Sequence, residues 1–253
     1  MMNSVTHKSV LKLASLVFFC VGIAGSLPAG PPYQTDDPEP PEPGQWELYC
    51  SAYSFAEARN SEGGAPQLEF NYGAAEDLQL SVSPQMAFFR PNTGPGAWGL
   101  GDTELGVKYR FLHEGESQPQ AAFYPQIVLP SGDARQGLGN GRAQAFIPLW
   151  FQKSWGPWTS FGGGGYWINP GLGNENWTFI GAALQRDFGD HVSLGAELFF
   201  HSAAQTDDVD GLGSNLAFLY HFTPRDSLVF SAGRDIFVGD TTFTGYAGYQ
   251  KLL

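Results

Sequence analysis

The sequence predicts an all-β fold, a single closed antiparallel transmembrane β-barrel of about twelve strands. Three observations predict it: hydrophobicity that alternates with a period of two, connections that alternate between long and short, and an unusual composition. Of the 253 residues, 33 are glycine and 15% are aromatic, while only 15% are charged, against a usual share of about 25%. Strands that face lipid on one side have this composition. A secreted β-sandwich would also fit it, so the connections have to decide between the two.

The first 26 residues have the pattern of an export signal. Lys8 and Lys12 flank the start of an apolar stretch that runs from Leu13 to Ala24, and small residues follow it. The stretch is too short for a spanning helix, which needs roughly 20 apolar residues. We therefore predict a signal peptide over residues 1–26. Its removal also removes Cys20, so that Cys50 has no partner for an intrachain disulfide.

The charge of the chain argues against nucleic acid as a partner. The formal net charge is −12, and removal of the signal, with two lysines and no acid, makes it −14. A chain this acidic has no general attraction for nucleic acid or for an anionic membrane surface.

Residues 27–44 form a proline-rich segment that we predict to be periplasmic. Seven prolines lie among acidic residues between Pro28 and Gly44. Proline removes the backbone donor that a strand needs and fixes an extended backbone. An extended linker is the first interpretation, and a plug packed into a lumen is the alternative.

From Gln45 onward the hydrophobic period is two, as in strands. We assign residues 45–253 to an outer-membrane barrel. The twelve predicted strands lie near 45–52, 67–72, 78–83, 102–111, 119–130, 142–155, 158–169, 175–187, 191–203, 212–223, 227–236 and 241–253.

The connections between these strands are sorted by length. Long, polar or Gly/Pro-rich ones are expected at Glu57–Pro66, Pro91–Leu100, Pro130–Gly141, Pro170–Glu175, Ala204–Gly211 and Phe237–Asp240. Tight ones alternate with them at Ala74–Asp77, Gly156–Pro157, Phe188–Asp190 and Pro224–Asp226, and His113–Gln118 is of middle length. A bacterial outer-membrane barrel has short periplasmic turns and long outer loops. An even number of strands then places both termini in the periplasm.

One strand predicts which face lines the lumen. In the run from Asp102 to Phe111, the charged residues Asp102, Glu104, Lys108 and Arg110 share the face opposite Leu105 and Val107. A charge on the lipid face costs roughly 2–4 kcal/mol near the midplane, so we expect these four side chains in the lumen. Glu197 is a further candidate for the lumen. These side chains could pack the lumen or could form a constriction that selects ions, and the sequence leaves both roles open.

Five tryptophans lie close to predicted strand ends: Trp150, Trp155, Trp158, Trp167 and Trp177. Interfacial girdles explain this placement. A slot for a hydrophobic substrate would use the same residues on the inner face. Alternation does not decide between the two near Gly162–Gly165, where neither face carries side chains.

No catalytic, metal-binding or cofactor-binding set emerges from the sequence. His201 and Ser202 are neighbours on one strand and therefore point to opposite faces, which excludes a nucleophile–base pair in regular geometry. The acidic loop Gln205–Gly211 lacks the twelve-residue calcium frame with its terminal glutamate. We expect neither an enzyme nor a bound cofactor.

Three stretches resemble a known family of outer-membrane proteins. They are QTDDPEPPEPGQWEL (Gln34–Leu48), GLGDTELGVKYRF (Gly99–Phe111) and VLPSGDARQGLGNG (Val128–Gly141). They are similar to the meta-pathway of phenol degradation family. The resemblance implies a Gram-negative outer-membrane barrel that passes small hydrophobic or aromatic solutes passively, with lipid and the barrel-assembly machinery as partners. A structural or adhesion barrel with a plugged lumen is the first alternative, and an outer-membrane lipid hydrolase the second.

Overall fold

The structure, a computed structural model, describes residues 31–57, 59–206, 208–237 and 242–253. The predicted signal peptide lies outside these residues. Within the described ranges, no helix is long and apolar enough to cross a membrane.

Fifteen β segments form the wall, and one short 3-10 helix, Ala134–Gln136, lies in a loop. The segments are β1 (Trp46–Ala56), β2 (Asn60–Ala75), β3 (Leu78–Ser83), β4 (Gln85–Pro91), β5 (Ala97–Leu100), β6 (Thr103–Leu112), β7 (Gln120–Phe123), β8 (Gln126–Leu129), β9 (Gln144–Trp155), β10 (Trp158–Ile168), β11 (Trp177–Phe188), β12 (Val192–His201), β13 (Gly211–Thr223), β14 (Asp226–Phe237) and β15 (Phe243–Leu252). Three pairs, β3/β4, β5/β6 and β7/β8, are single strands broken once, so twelve strands cross the wall. The prediction of a twelve-stranded antiparallel barrel is confirmed.

The sheet closes on itself because β1 pairs with both β2 and β15. The β1–β15 register runs without a shift from Glu47 opposite Leu252 to Ala56 opposite Phe243. Lipid cannot satisfy an open sheet edge, and closure removes that edge.

The wall is polar inside and apolar outside, the reverse of a soluble protein. In β6, Glu104 and Lys108 are 7% and 4% exposed, whereas Leu105 and Val107 between them are 42% and 43% exposed. The same alternation runs along β9, β11 and β13. A closed sheet with this polarity has an outer surface suited to hydrocarbon and a polar lumen.

The three breaks lie in consecutive strands and have local causes. Pro84 separates β3 from β4 and Pro125 separates β7 from β8, because proline cannot donate to the ladder. The third break is at Gly101 and Asp102. There the Asp102 carboxylate accepts hydrogen bonds from the backbone of the loop that follows β8. The predicted strand at 119–130 therefore consists of two segments.

Two predicted loops are partly wrong. The end of the predicted Pro91–Leu100 loop is β5, which pairs with β4. The stretch Glu57–Pro66 belongs mostly to β2, which begins at Asn60 and pairs with β1 through Ala56 and Ser61. Its glycines and proline suggested a loop, but register shifts next to Ala65 and Pro66 take up the proline within the ladder. The tight turn at Gly156–Pro157 is confirmed. Most of the predicted Phe237–Asp240 connection lies outside the described residues.

Candidate functional site: the barrel lumen

Residues 31–44 lie inside the barrel and are called the plug below. The plug leaves β1 at the end of the barrel that carries the short turns, where the Gly44 amide donates to the Gly73 carbonyl at 2.7 Å. From there it crosses the lumen, and Thr35 and Asp36 are 0% and 2% exposed. These contacts favour the plug over the extended linker. The assignment of its origin to the periplasm stays a prediction.

An ion pair holds the middle of the plug. Lys108 Nζ of β6 lies 3.2 Å from Asp36 Oδ1 and 3.8 Å from Asp37 Oδ1, and the Lys108 and Asp36 side chains are 5% and 2% exposed. Lys108 also lies 4.9 Å from the centre of the Tyr124 ring. A buried charge needs a partner of this kind, because an unpaired charge away from water is very costly.

Glu197 of β12 holds the far end of the plug. Its Oε1 accepts the Thr35 amide at 2.5 Å, and its Oε2 accepts the Gln34 amide at 3.2 Å and Asn215 Nδ2 at 2.7 Å. The plug is not part of a sheet at this point, so the carboxylate satisfies backbone donors that a strand would otherwise pair.

Near the start of the plug, the ring of Tyr33 is buried in an apolar cluster. Its ring is 5.0 Å from the Phe161 ring, edge to face, and its hydroxyl donates to Gln185 Oε1 at 3.1 Å. Two wall glycines make room for this end of the chain. A Cβ at Gly195 would collide with the Tyr33 hydroxyl, and a Cβ at Gly181 with the Thr35 hydroxyl.

The other predicted lumen residues lie apart from one another. Glu104 accepts Gln126 Nε2 at 2.6 Å. Asp102 accepts the Gly132 and Asn140 amides at 2.9 and 2.7 Å and so anchors the long loop that follows β8. Arg110 donates from Nε to Asp77 Oδ1 at 2.8 Å, at the turn between β2 and β3. The five predicted residues therefore do not form one cluster, and only Lys108 and Glu197 contact the plug.

Three of the five tryptophans lie inside the barrel. Trp150, Trp167 and Trp177 are 0%, 5% and 5% exposed, whereas Trp155 is 50% exposed on the outer face. Trp158, with Arg186 5.1 Å above its ring, is half-buried. The interpretation as an interfacial girdle is therefore wrong for Trp150, Trp167 and Trp177.

The inner tryptophans belong to an aromatic cluster on the loop side of the plug. Trp167 stacks on Phe146 and on Trp177, with ring centres 4.7 and 5.3 Å apart and planes within 9°. Phe179 stacks on Phe199 at 5.9 Å. The whole cluster consists of Tyr124, Val128, Phe146, Trp150, Trp167, Trp177, Phe179 and Phe199. The lumen is therefore aromatic on the loop side of the plug, whereas the plug itself is held by an ion pair, by hydrogen bonds and by the apolar contacts of Tyr33.

A cavity of about 470 Å³ lies between the plug and the turn-end half of the wall. It is called the turn-side chamber below. Six carboxylates line it: Asp36, Asp37, Glu39, Glu42, Glu47 and Glu69. Its cationic groups are Lys108 and, when protonated, His221.

No catalytic arrangement comes together around His201. The Ser202 hydroxyl accepts the Thr178 amide at 2.9 Å, and the His201 ring packs edge to face on Trp177 at 6.5 Å. In the part of the chain that the structure describes, no group of three or more His, Cys, Asp or Glu could hold a metal ion.

The fold and lumen define a class: a closed twelve-stranded barrel of the outer-membrane type whose own N-terminal segment lies in the lumen. The chain is similar to the solved COG4313 outer membrane channel from Pseudomonas putida F1, at 16% identity and a TM-score of 0.67, over 85% of this chain and 97% of that one. It is also similar to the KdgM porin, at 10% identity and a TM-score of 0.55, over 80% of this chain and 98% of that one.

The chain is similar as well to the β domain of the Bordetella autotransporter BrkA, which is not described as a channel. The identity is 11% and the TM-score 0.50, over 82% of this chain and 98% of that one. No family model and no curated protein matches the sequence. These similarities establish the fold, and the lumen has to carry the functional argument.

Proposed function

We propose that the protein is an outer-membrane channel through which small hydrophobic or aromatic solutes pass passively. The aromatic cluster in the lumen carries the proposal. A water-filled barrel lumen is ordinarily polar, so Phe146, Trp167 and Trp177 stacked on the inner face form an unusual surface. Planar rings stack favourably on such a surface and leave water when they do so. The resemblance to the phenol-degradation family and the likeness to solved channels support the same function.

The plug explains how such a channel stays closed to other solutes. It is held by side-chain contacts and by hydrogen bonds, chiefly those of Lys108 and Glu197, without a covalent bond. Displacement of the plug from these contacts would open a path between the turn-side chamber and the aromatic cluster. Passage would then need no energy source beyond the concentration gradient.

Several partners follow from this proposal. Outer-membrane lipid would surround the apolar outer face, and the barrel-assembly machinery would insert the chain. Both termini would lie in the periplasm, with the long loops outside. Small solutes would be the only ligands transported, and nucleic acid would have no role.

The test compares two tryptophans on the inner face of the barrel with one on the outer face. Purified protein in liposomes is assayed for uptake of a small phenol, and in planar bilayers for ion conductance. We expect Trp167→Ala with Trp177→Ala to change phenol uptake at least several-fold, and Trp155→Ala on the outer face to leave it unchanged. Equal uptake by all three proteins and by empty liposomes would contradict the proposal.

A structural barrel with a permanently plugged lumen is the second candidate, because the plug contacts are buried. It predicts no conductance and no uptake in the full chain. It also predicts that a variant lacking residues 31–42 conducts ions but shows no preference for aromatic solutes.

A further inference from the structure

Two carboxylates of the turn-side chamber, Glu47 and Glu69, are half-buried and lack a cationic partner. Glu39 and Glu42 also form no ion pair among the described residues, but they are exposed to water. Asn71 Nδ2 donates to Glu69 Oε1 at 2.8 Å and to Glu47 Oε2 at 3.3 Å, so one neutral amide links both acids. Gln250 Nε2 and the Tyr49 hydroxyl donate to Glu47 Oε1 at 2.7 and 3.0 Å, and both groups are neutral. Among the described residues, no Lys, Arg or His forms an ion pair with either acid.

Two buried amide oxygens in the same chamber are hydrogen-bond acceptors without a donor. Asn71 and Gln79 are 3% and 2% exposed, and both line the chamber. Neither Asn71 Oδ1 nor Gln79 Oε1 has a hydrogen-bond partner among the described residues. A buried acceptor without a donor destabilises the folded chain, so such atoms beside a cavity indicate a ligand that donates.

The strand register brings these acceptors together. Asn71 lies opposite Glu47 on β1, and Gly73, two residues further along β2, lies opposite Gln79 on β3. Residues diagonal to each other on adjacent strands are within reach of one small ligand. Lys108 lies opposite Gln79 on the other side, but its ammonium group is engaged by Asp36 and Asp37.

We infer that the turn-side chamber is a binding site for a small organic cation with a primary ammonium group. The single positive charge would lie between Glu47 and Glu69, which share the Asn71 amide as a donor. The three N–H bonds would supply the donors that Asn71 Oδ1 and Gln79 Oε1 lack, and Tyr49 and Phe161 on the chamber wall would cover a short alkyl chain. A primary ammonium has three donors and no acceptor, which is the complement of this set.

The test measures binding by the full chain in detergent, by isothermal titration at fixed ionic strength. The probe is 1-propylammonium, and there are two controls. Tetramethylammonium has the positive charge but no N–H, and 1-propanol is neutral. We expect 1-propylammonium to bind with one-to-one stoichiometry and the other two at least about 10-fold more weakly. Equal binding of the two cations, or no binding of 1-propylammonium, would overturn the inference.

Matched variants locate the site. Glu47→Gln with Glu69→Gln keeps the side-chain shapes and should weaken 1-propylammonium binding by about 10- to 100-fold. Glu104→Gln changes an acid that also faces the lumen but does not line the chamber, and should leave binding unchanged. If both changes weakened binding equally, the affinity for 1-propylammonium would depend only on the net charge of the barrel and not on this site.

A third variant guards against a loss of binding through misfolding. Gln79→Lys places a tethered ammonium in the chamber, so it should abolish binding and raise the unfolding temperature. Unchanged binding in this variant would contradict the site. Binding is measured without transport, so a protein that bound 1-propylammonium but took up no more phenol than empty liposomes would contradict the proposed channel and leave this site intact.

Discussion

Lys108 and Asp36 are 72 residues apart in the chain and form a buried ion pair across the lumen, with Nζ and Oδ1 3.2 Å apart. One partner belongs to the barrel wall and the other to the plug. The pair therefore couples the position of the plug to a single charge on β6.

Replacement of Lys108 by Met should release the plug. The change leaves Asp36 buried without its cation, and loss of one partner of a buried pair costs about 3–5 kcal/mol. We expect faster proteolytic cleavage within residues 31–44 and a larger conductance. The control is Lys153→Met, since Lys153 pairs with Glu114 at 2.7 Å near a turn and does not contact the plug. Equal cleavage rates in both variants would show that the pair does not hold the plug.

Replacement of Glu197 by Leu should free the far end of the plug. Glu197 accepts the amides of Gln34 and Thr35, and hydrogen bonds to a charged group contribute about 1.5–3 kcal/mol each. We expect amide hydrogen exchange at these two residues to accelerate at least 10-fold. Exchange at Val229, in the wall, is the internal reference. Unchanged exchange at Gln34 and Thr35 would refute the role of Glu197 as an acceptor for the plug.

Gly195→Ala should displace Tyr33, and Gly181→Ala should displace Thr35. The added methyl group occupies the place of the hydroxyl on each of these residues, and overpacking costs about 1–3 kcal/mol. Cleavage of the plug by protease should rise in both variants. Gly245→Ala is the matched control, because the nearest atom to its Cβ would be Ser54 Oγ at 3.7 Å. An equal effect of Gly245→Ala would mean that alanine in a strand, rather than the collision, loosens the plug.

Lys108→Glu combined with Arg110→Glu should change ion selectivity. Both side chains are directed inward on β6, among the interior acids Glu104 and Asp102. We expect the cation-to-anion permeability ratio, taken from the reversal potential in a salt gradient, to rise. Arg135→Glu, in the exposed loop, should change the ratio less. An unchanged reversal potential would mean that this face of β6 does not line the conducting path.

Acid should weaken the turn between β2 and β3. Burial acts to raise the pKa of Asp77, but hydrogen bonds from Arg110 and His113 outweigh it and hold this pKa below its ordinary value. Because the folded state has the lower pKa, the stabilisation is complete above the unfolded pKa of about 3.9 and is lost as the pH falls through the folded pKa.

Asp77→Asn tests this pH dependence, and asparagine also tolerates the positive φ of 63° at this position. The difference in unfolding temperature between the wild type and the variant should be larger at pH 7 than at pH 2. A difference that stays constant between the two would rule out the carboxylate as its source.

The barrel was predictable from sequence because its signal is local and repeated. Leu105, Val107 and Tyr109 alternate with polar residues within a single strand. Because lipid surrounds the barrel, the apolar face has to point outward and the charged face inward. The inward side chain of Glu104 follows from the same alternation. The break at Pro125 could have been predicted, since proline cannot pair in the middle of a strand.

The sequence indicates the plug only as the alternative to a linker, because the contacts that hold the plug are distant and not periodic. Thr35 pairs with Glu197 across 162 residues, and nothing in the proline-rich segment indicates that partner. The clue that the sequence did contain was Asp36 with no local cation. The inner position of Trp167 was hidden by Gly162–Gly165, which have no side chains to mark the two faces.

The attachment of the plug to the wall has a further consequence for its return after displacement. Gly44 and Gln45 tie its base to Gly73 of β2, and a segment of 14 residues reaches at most about 50 Å. A displaced plug therefore stays near its site at an effective concentration of the order of millimolar. Rebinding is intramolecular and independent of the amount of protein in the membrane. A free peptide with the sequence of residues 31–44 would have to reach a similar concentration to compete with the tethered plug.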